Sequence, residues 1–235
     1  MAGQRHIFFD LDHTLWDFER NAHETIGELL LEYRDRIGTE VDNDYFFEGY
    51  SQINRALWDA FERGEIPMSA LRAGRWEMAF ERLGIEAGDW LNAFALDYQQ
   101  RCPGKPHLMP GTEALLATLS TEFQLGIISN GIIQNQERKL QSAGIRDYFR
   151  DLVTIDIAGF PKPDARIFHC ALSRADIAPA QAMHIGDSYQ SDVLGAHGAG
   201  LSVIFFNPVG HDNPEAFPEV AHMDALLDLI PRSWR

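Results

Sequence analysis

His6-Ile7-Phe8-Phe9-Asp10-Leu11-Asp12-His13-Thr14-Leu15 is an apolar run that ends in acid. The stretch His6 to Phe9 predicts a short buried strand. Asp10 and Asp12 lie two residues apart at its exit, so their side chains point to the same side. Two carboxylates held that close push one pKa up unless a cation joins them. The pairing is poor for stability and useful for chemistry. One carboxylate can attack, the other can carry a proton, and a divalent metal can hold Asp10 and Asp12 together. Asp and Thr also end strands and open turns for structural reasons alone, so the rest of the chain decides between the two readings.

After Thr14 the pattern turns helical. Segments near 19–36, 42–63, 68–83 and 88–101 carry apolar residues at helical spacing, with Leu29, Leu30 and Tyr33 on one face and Phe46, Ile53 and Leu57 on another. Gly38, Gly64-Glu65-Ile66-Pro67 and Gly84 to Gly88 punctuate the block. Cys102-Pro103-Gly104-Lys105-Pro106 breaks the pattern and reads as a linker. From residue 111 onward helices and strands alternate. Helices are predicted over 111–121, 134–143, 164–175, 189–198 and 223–230. Strands are predicted over Phe123 to Ile128, Leu152 to Ile155, Ala182 to Ile185 and Leu201 to Phe206. That alternation predicts an α/β fold, a parallel sheet with helices on both faces. The strand near residue 7 joins this sheet, and the helical block is an insert budding from that strand's exit.

The bulk composition narrows the function classes. A chain of 235 residues with 45% hydrophobic and 23% charged residues suits one large domain, or a core with a smaller insert. The formal net charge of −15 argues against nucleic-acid or anionic-membrane partners. It does not forbid a small anionic substrate, because a metal and a lysine can override the net field locally. No apolar run is long enough to span a membrane, and Met1 to Arg5 has no signal-peptide form. Cys102 and Cys170 make neither a metal spacing nor a disulfide framework, which points to a reducing, cytoplasmic setting.

In open parallel sheets ligands bind beyond the carboxyl ends of the strands. Four predicted strand exits carry polar groups there: Asp10/Asp12; Ser129-Asn130-Gly131; Lys162 in Gly159-Phe160-Pro161-Lys162-Pro163-Asp164; and Gly186-Asp187-Ser188-Tyr189-Gln190-Ser191-Asp192. Each alone has a plainer explanation. Asn-Gly makes turns, a loop lysine is usually solvated, and Asp187 or Ser188 can cap the helix that follows. Together they suit phosphoryl transfer, which needs a nucleophile, a proton donor for the leaving oxygen, and positive charge on the phosphoryl oxygens. Asp10 is the candidate nucleophile, forming an aspartyl-phosphate. Asp12 is the candidate acid and then base. The Ser129 hydroxyl and the Asn130 amide can hold two phosphate oxygens, and Lys162 can neutralise a third and pair with Asp10. Asp187, with Asp10, offers a hard oxygen site suited to Mg²⁺, completed by a backbone carbonyl, waters and the phosphate, with Asp12 counted among the metal residues. Asp192 can brace Lys162 or a metal-bound water.

These four segments, in this order, resemble the four motifs of the haloacid dehalogenase superfamily of phosphohydrolases. Asp10 to Thr14 matches its Asp-x-Asp-x-Thr, Ser129 its second motif, Lys162 in Lys-Pro-Asp its third, and Gly186-Asp187 with Asp192 its fourth. The resemblance implies a Rossmann-like core over residues 1–15 and 106–235 and an α-helical cap over 16–105 that closes on the site. It implies a Mg²⁺-dependent two-step mechanism, with Thr14 and Asp192 in supporting positions. Superfamily members that cleave carbon–halogen bonds lack the second aspartate of the first motif, so Asp12 argues for phosphate. Phosphomutases keep all four motifs. The stretches Ile128 to Gln136 and Gly144 to Phe149 are similar to the pyrimidine 5'-nucleotidase branch, which implies a nucleoside monophosphate substrate. Sugar phosphates or phosphoglycolate are the alternative, and a phosphate-ligand sensor on the same fold is the non-enzymatic one. Selectivity would then lie with Trp16, Asp17, Phe18 and cap residues such as Tyr50, Asn54, Trp58, Arg72, Arg75, Trp76 and Phe80. Aromatics at helical spacing are also ordinary core. His13 stands where many relatives carry Asp, Gly or Asn, and fits a strand-exit turn. The cap's outer surface leaves room for a homodimer.

Overall fold

The computed structural model describes residues 5–230 and 234. In chain order, β1 (His6–Phe9) is followed by helices α1 (Phe18–Glu32), α2 (Arg34–Ile37), α3 (Asn43–Glu62), α4 (Met68–Glu81) and α5 (Leu91–Arg101). Then come α6 (Thr112–Leu119), β2 (Gln124–Ser129), α7 (Ile133–Ser142), β3 (Phe149–Thr154), α8 (Ile155–Ala158) and α9 (Ala165–Ala175). The chain continues through β4 (Ala182–Gly186), a π-helical stretch Tyr189–Leu194, α10 (Gly195–Gly198), β5 (Ser202–Phe206), β6 (Glu219–Val220) and α11 (Leu226–Leu229). The chain divides into two compact units, one built from Met1–Asp17 and Pro106–Arg235 and the other from Phe18–Lys105.

The first unit holds a six-stranded sheet in the order β3-β2-β1-β4-β5-β6, with every pairing parallel. β1 lies at the centre and pairs Phe9 with Ile127 on one side and Ile185 on the other. The chain order reverses beside β1, and a ligand crevice forms at such a reversal, outside the carboxyl ends. Every residue of β1 is buried, which explains a near-continuous apolar strand in place of an alternating one. Phe8 fixes its neighbour: a Cβ added at Gly126 would lie 2.7 Å from the Phe8 ring. The Phe8 side packs with Ile128, Val153, Ile167, Phe168, Leu172 and Phe205. Truncating Phe8 to Ala would cost about 3–5 kcal/mol.

The second unit is helical. Its core is aromatic: Tyr50 stacks on Trp76 at 4.8 Å between centroids, Trp76 meets the Tyr98 edge at 4.7 Å, and Phe80 meets Phe46 and Trp90. The Tyr33 hydroxyl donates to Asp97 at 2.7 Å and Arg101 grips Glu32, which ties α1 to α5. The buried stripe of α3 runs through Phe46, Tyr50, Asn54 and Phe61, while Ile53 and Leu57 are only half-buried.

Several expectations are corrected. The helix expected over 19–36 breaks at Tyr33, before Gly38 closes α2 in a left-handed conformation. The stretch read as a linker contains a 3₁₀ turn, Cys102–Gly104, with Cys102 and Pro103 buried. β3 begins three residues earlier than Leu152, and Ile155 opens a helix because Asp156 turns back to accept from Thr154 Oγ1 at 2.6 Å. The helix expected over 189–198 starts as a π turn. The final helix over 223–230 is a 3₁₀ turn, Met223–Ala225, followed by α11. Two-residue β6 is too short to leave a periodic signal. Trp16 and Asp17, expected in the insert, group with the sheet unit because Asp17 N–H donates to the His107 carbonyl at 3.1 Å and Trp16 bridges Leu108. Among the described residues no helix is long and apolar enough to cross a membrane.

Candidate active site

The site grows from the exits of β1, β2 and β4 and from the loop after α8. Asp10 extends β1 by one rung, its N–H donating to the Ile185 carbonyl at 2.9 Å. The chain then reverses tightly: Leu15 and Trp16 N–H both reach the Leu11 carbonyl, and His13 adopts φ 61° in the left-handed region. Histidine tolerates that region better than branched residues do. This turn gives the two aspartates different surroundings. Asp10 is buried and takes Lys162 Nζ at 2.5 Å. Asp12 takes Lys139 Nζ at 2.6 and 2.7 Å and Gln136 Nε2 at 3.0 Å.

The second group follows β2. Ser129 Oγ accepts from Gln136 Nε2 at 2.6 Å and from Gly131 N–H at 3.1 Å. Both acceptor positions are therefore used, and the hydroxyl proton is left to donate. Gly131 permits this, since a Cβ there would lie 2.5 Å from Gln136 Cδ. Asn130 behaves differently from the expectation. Its Oδ1 accepts from Lys162 N–H at 2.7 Å and its Nδ2 donates to the Lys162 carbonyl at 3.1 Å. The Asn130 side chain clamps the Lys162 backbone instead of being held out for a phosphate.

Lys162 is 2% exposed and bridges Asp10 at 2.5 Å and Asp192 at 2.6 Å. Burial disfavours its charge, but the two carboxylates outweigh that and raise its pKa above the ordinary lysine value. Asp192 is held from three directions, by Lys162, by His184 Nε2 at 2.8 Å and by Ser188 N–H at 3.0 Å. The π turn carries it there, with Asp192 N–H donating to the Ser188 carbonyl at 2.8 Å. Gly186 makes room, because a Cβ there would lie 2.3 Å from Asp192 Cγ. Burial opposes the Asp192 charge, yet Lys162 and His184 hold its carboxyl well below the usual range. Burial also lowers His184, favouring the neutral ring.

Asp187 accepts from Thr14 Oγ1 at 3.0 Å. Burial, then the Asp192 charge, push its pKa up to about 7. Asp10 is likewise raised well above its ordinary value, first by burial and then by the neighbouring aspartates, against the pull of Lys162. Asp12 goes the other way: burial opposes its charge, but Lys139 and Gln136 win and lower its pKa.

One oxygen each from Asp10, Asp187 and Asp192 lie within 4.8 Å of one another. Three carboxylates there share a single ammonium, that of Lys162. An all-oxygen donor set with unbalanced negative charge fits a hard divalent cation. The Asp12 carboxylate turns to Lys139, so of the expected ligands Asp10 and Asp187 bring their carboxylates to the cluster, with Asp192 beside them. Hydrogen bonds join Asp10, Lys162 and Asp192, and separately Thr14 to Asp187, whose carboxylate lies within 4.8 Å of those of Asp10 and Asp192; Gln136 joins Asp12 to Ser129. Gln136, Lys139 and His184 were not singled out from the sequence. One signal was available: α7 buries Gln136 and Lys139, three residues apart, on the face where apolar residues would be expected.

A family model for haloacid dehalogenase-like hydrolases matches residues 4–200. The chain is 31% identical over 224 residues to the pyrimidine 5'-nucleotidase YjjG of Escherichia coli (strain K12), covering 95% of each chain. It is 41% identical over 205 residues to a glyceraldehyde 3-phosphate phosphatase of Methanothermobacter thermautotrophicus, covering 86% of this chain and 84% of that one. The crystal structure of the HAD-hydrolase YfnB of Bacillus subtilis, described as bound to magnesium, superposes with a TM-score of 0.85 at 26% identity, covering 97% and 98% of the two chains.

Proposed function

The chain belongs to the haloacid dehalogenase-like hydrolases, and from that membership we propose a Mg²⁺-dependent phosphomonoesterase that acts through an aspartyl-phosphate on Asp10. Nucleoside 5'-monophosphates, pyrimidine ones foremost, are the proposed substrates. The observation that carries the reading is the pairing of buried Asp10 with Lys162 beside Asp187 and Asp192, with Asp12 held apart on Lys139. That separation gives the two aspartates different tasks.

In the proposed first step an Asp10 carboxylate oxygen attacks phosphorus and the ester P–O bond breaks. The leaving alkoxide takes a proton from Asp12. In the second step Asp12 takes a proton from water, the water oxygen attacks phosphorus, and Asp10 is released with phosphate. Lys139 keeps Asp12 ionised at rest, the form needed for the second step. For the first step Asp12 has to arrive protonated, which loosens its Lys139 pairing. The free Ser129 proton and the remaining Lys162 N–H are the donors for the phosphoryl oxygens, preorganised by Gln136 and by the Asn130 clamp. Asp10 and Asp187, with Asp192 alongside, would hold Mg²⁺, which when bound offsets charge on the phosphoryl oxygens. Selectivity for the leaving group is assigned to the helical unit.

The likeness to a glyceraldehyde 3-phosphate phosphatase favours a second reading, a phosphatase of small sugar phosphates with the same chemistry. Phosphate release from dUMP, dTMP, UMP, AMP, glucose phosphates, phosphoglycolate and glyceraldehyde 3-phosphate, with Mg²⁺ and with chelator, decides between them. Release strongest on pyrimidine monophosphates supports the first reading. Release strongest on glyceraldehyde 3-phosphate replaces it with the second. Turnover that survives chelation removes the cation from the mechanism.

A further inference from the structure

The helical unit contains a cation that its own sequence leaves uncompensated. Arg75 on α4 is half-buried, and its Nε is buried with no hydrogen-bond partner. Its one hydrogen bond is the Nη1 contact to Asn54 Oδ1, a long 3.5 Å. A buried donor without an acceptor is costly. The guanidinium lies against two rings, its Cζ 5.1 Å from the Trp76 centroid and 5.2 Å from that of Tyr98. Ring contacts of this kind offer the guanidinium no hydrogen-bond acceptor. They leave the in-plane N–H groups, which favour two coplanar oxygens.

The neighbours add donors and no acid. Arg72 precedes Arg75 by three residues on α4, so the two share a helix face. Burial and the Arg75 charge hold Arg72 below its ordinary pKa. Among the described residues neither arginine meets a carboxylate. Asn54, 5% exposed on α3, spends its Oδ1 on Arg75, and its Nδ2 donates to no described residue. The chain has 35 acidic against 20 basic residues, so the missing partner does not reflect a shortage of carboxylates.

We propose that Arg75, Arg72 and Asn54 form an oxyanion-binding site made wholly of helical-unit residues, taking carboxylate or phosphate oxygens of a small molecule. Trp76 and Tyr98 wall the site. The site stands on its own residues and does not depend on the phosphatase reading.

The test is an NMR titration of the full ¹⁵N-labelled chain, following arginine Nε–Hε resonances. The Arg75 signal is identified by its loss in Arg75→Lys. Inorganic phosphate and malonate are the probes, with chloride as the control. Arg75 and Arg72 signals should shift saturably with at least one probe and not with chloride, and the tighter probe identifies the phosphate or carboxylate source. Arg72→Gln should weaken that binding about tenfold while leaving the far-UV circular dichroism unchanged. An absent or unsaturable shift, an equal response to chloride, or undiminished affinity in a folded Arg72→Gln would each overturn the proposal.

Discussion

Asp10 holds a charge that burial and three other aspartates oppose and only Lys162 supports. Such a charge opposes stability and fits the nucleophile proposed for this position. Asp10→Asn should abolish turnover while leaving the melting temperature unlowered, because it relieves repulsion and Lys162 keeps Asp192. Activity and a thermal melt on the same sample check both halves, and turnover in Asp10→Asn would remove it as the nucleophile. Lys139 is the complementary case. Its Nζ also lies 4.7 Å from the Trp16 ring centroid, so Lys139→Met keeps an unbranched apolar side chain while deleting the charge that faces Asp12 and that ring. A fall in kcat of about 10–100-fold, with KM far less affected, is expected from steady-state kinetics; an unchanged kcat would exclude the role. Asp10, Ser129, Lys162 and Asp187 were legible because each acid, hydroxyl or amine follows a strand among turn formers. Lys139 was not, since it meets Asp12 across 127 residues of chain and sits in a helix without apolar spacing. The setting of the Asp12 carboxylate was hidden for the same reason: the sequence shows which acids exist, not which lysine each one finds.

At the level of elements, the alternation of apolar runs and helical spacing was enough to place β1, β2, β4 and β5 and the helices between them. It failed where side chains bend the backbone locally. Asp156 folds back at the end of β3, and Asp192 and Ser188 shape the π turn after β4. The start of α9 was legible, since Asp164 after Pro163 is a natural N-cap. Its carboxylate accepts from Arg166 N–H at 2.9 Å and pairs with the Arg166 guanidinium. These contacts, the side-chain one first, depress its pKa to about 2 from an ordinary 3.8. The folded value is the lower one, so the contribution is present above 3.8 and fades as pH falls through 2. Asp164→Ala should therefore cost about 1 kcal/mol at neutral pH. Urea denaturation of both proteins should show the gap closing between pH 4 and pH 2. A gap that does not vary with pH would mean that the charge on Asp164 contributes nothing.

For the whole molecule, a net charge of −15 sets a long-range field that repels phosphorylated molecules, while Lys162 and the proposed cation would act only at short range. Raising ionic strength screens the former before the latter. With Mg²⁺ kept saturating, kcat/KM for a phosphomonoester should rise as salt is first added. A steady fall from the lowest salt would indicate an attractive local field that dominates. The strand order has a different consequence, one in time. β1 is the first strand made, yet its hydrogen-bonding neighbours begin at residues 124 and 182, and such distant pairings close slowly. A nascent chain leaving the ribosome therefore carries Asp10 long before Lys162 or Asp192 exists to meet it. Until residues 124–129 have emerged the first strand stays a sticky, unpartnered segment in need of shelter, and its second edge waits for residues 182–186.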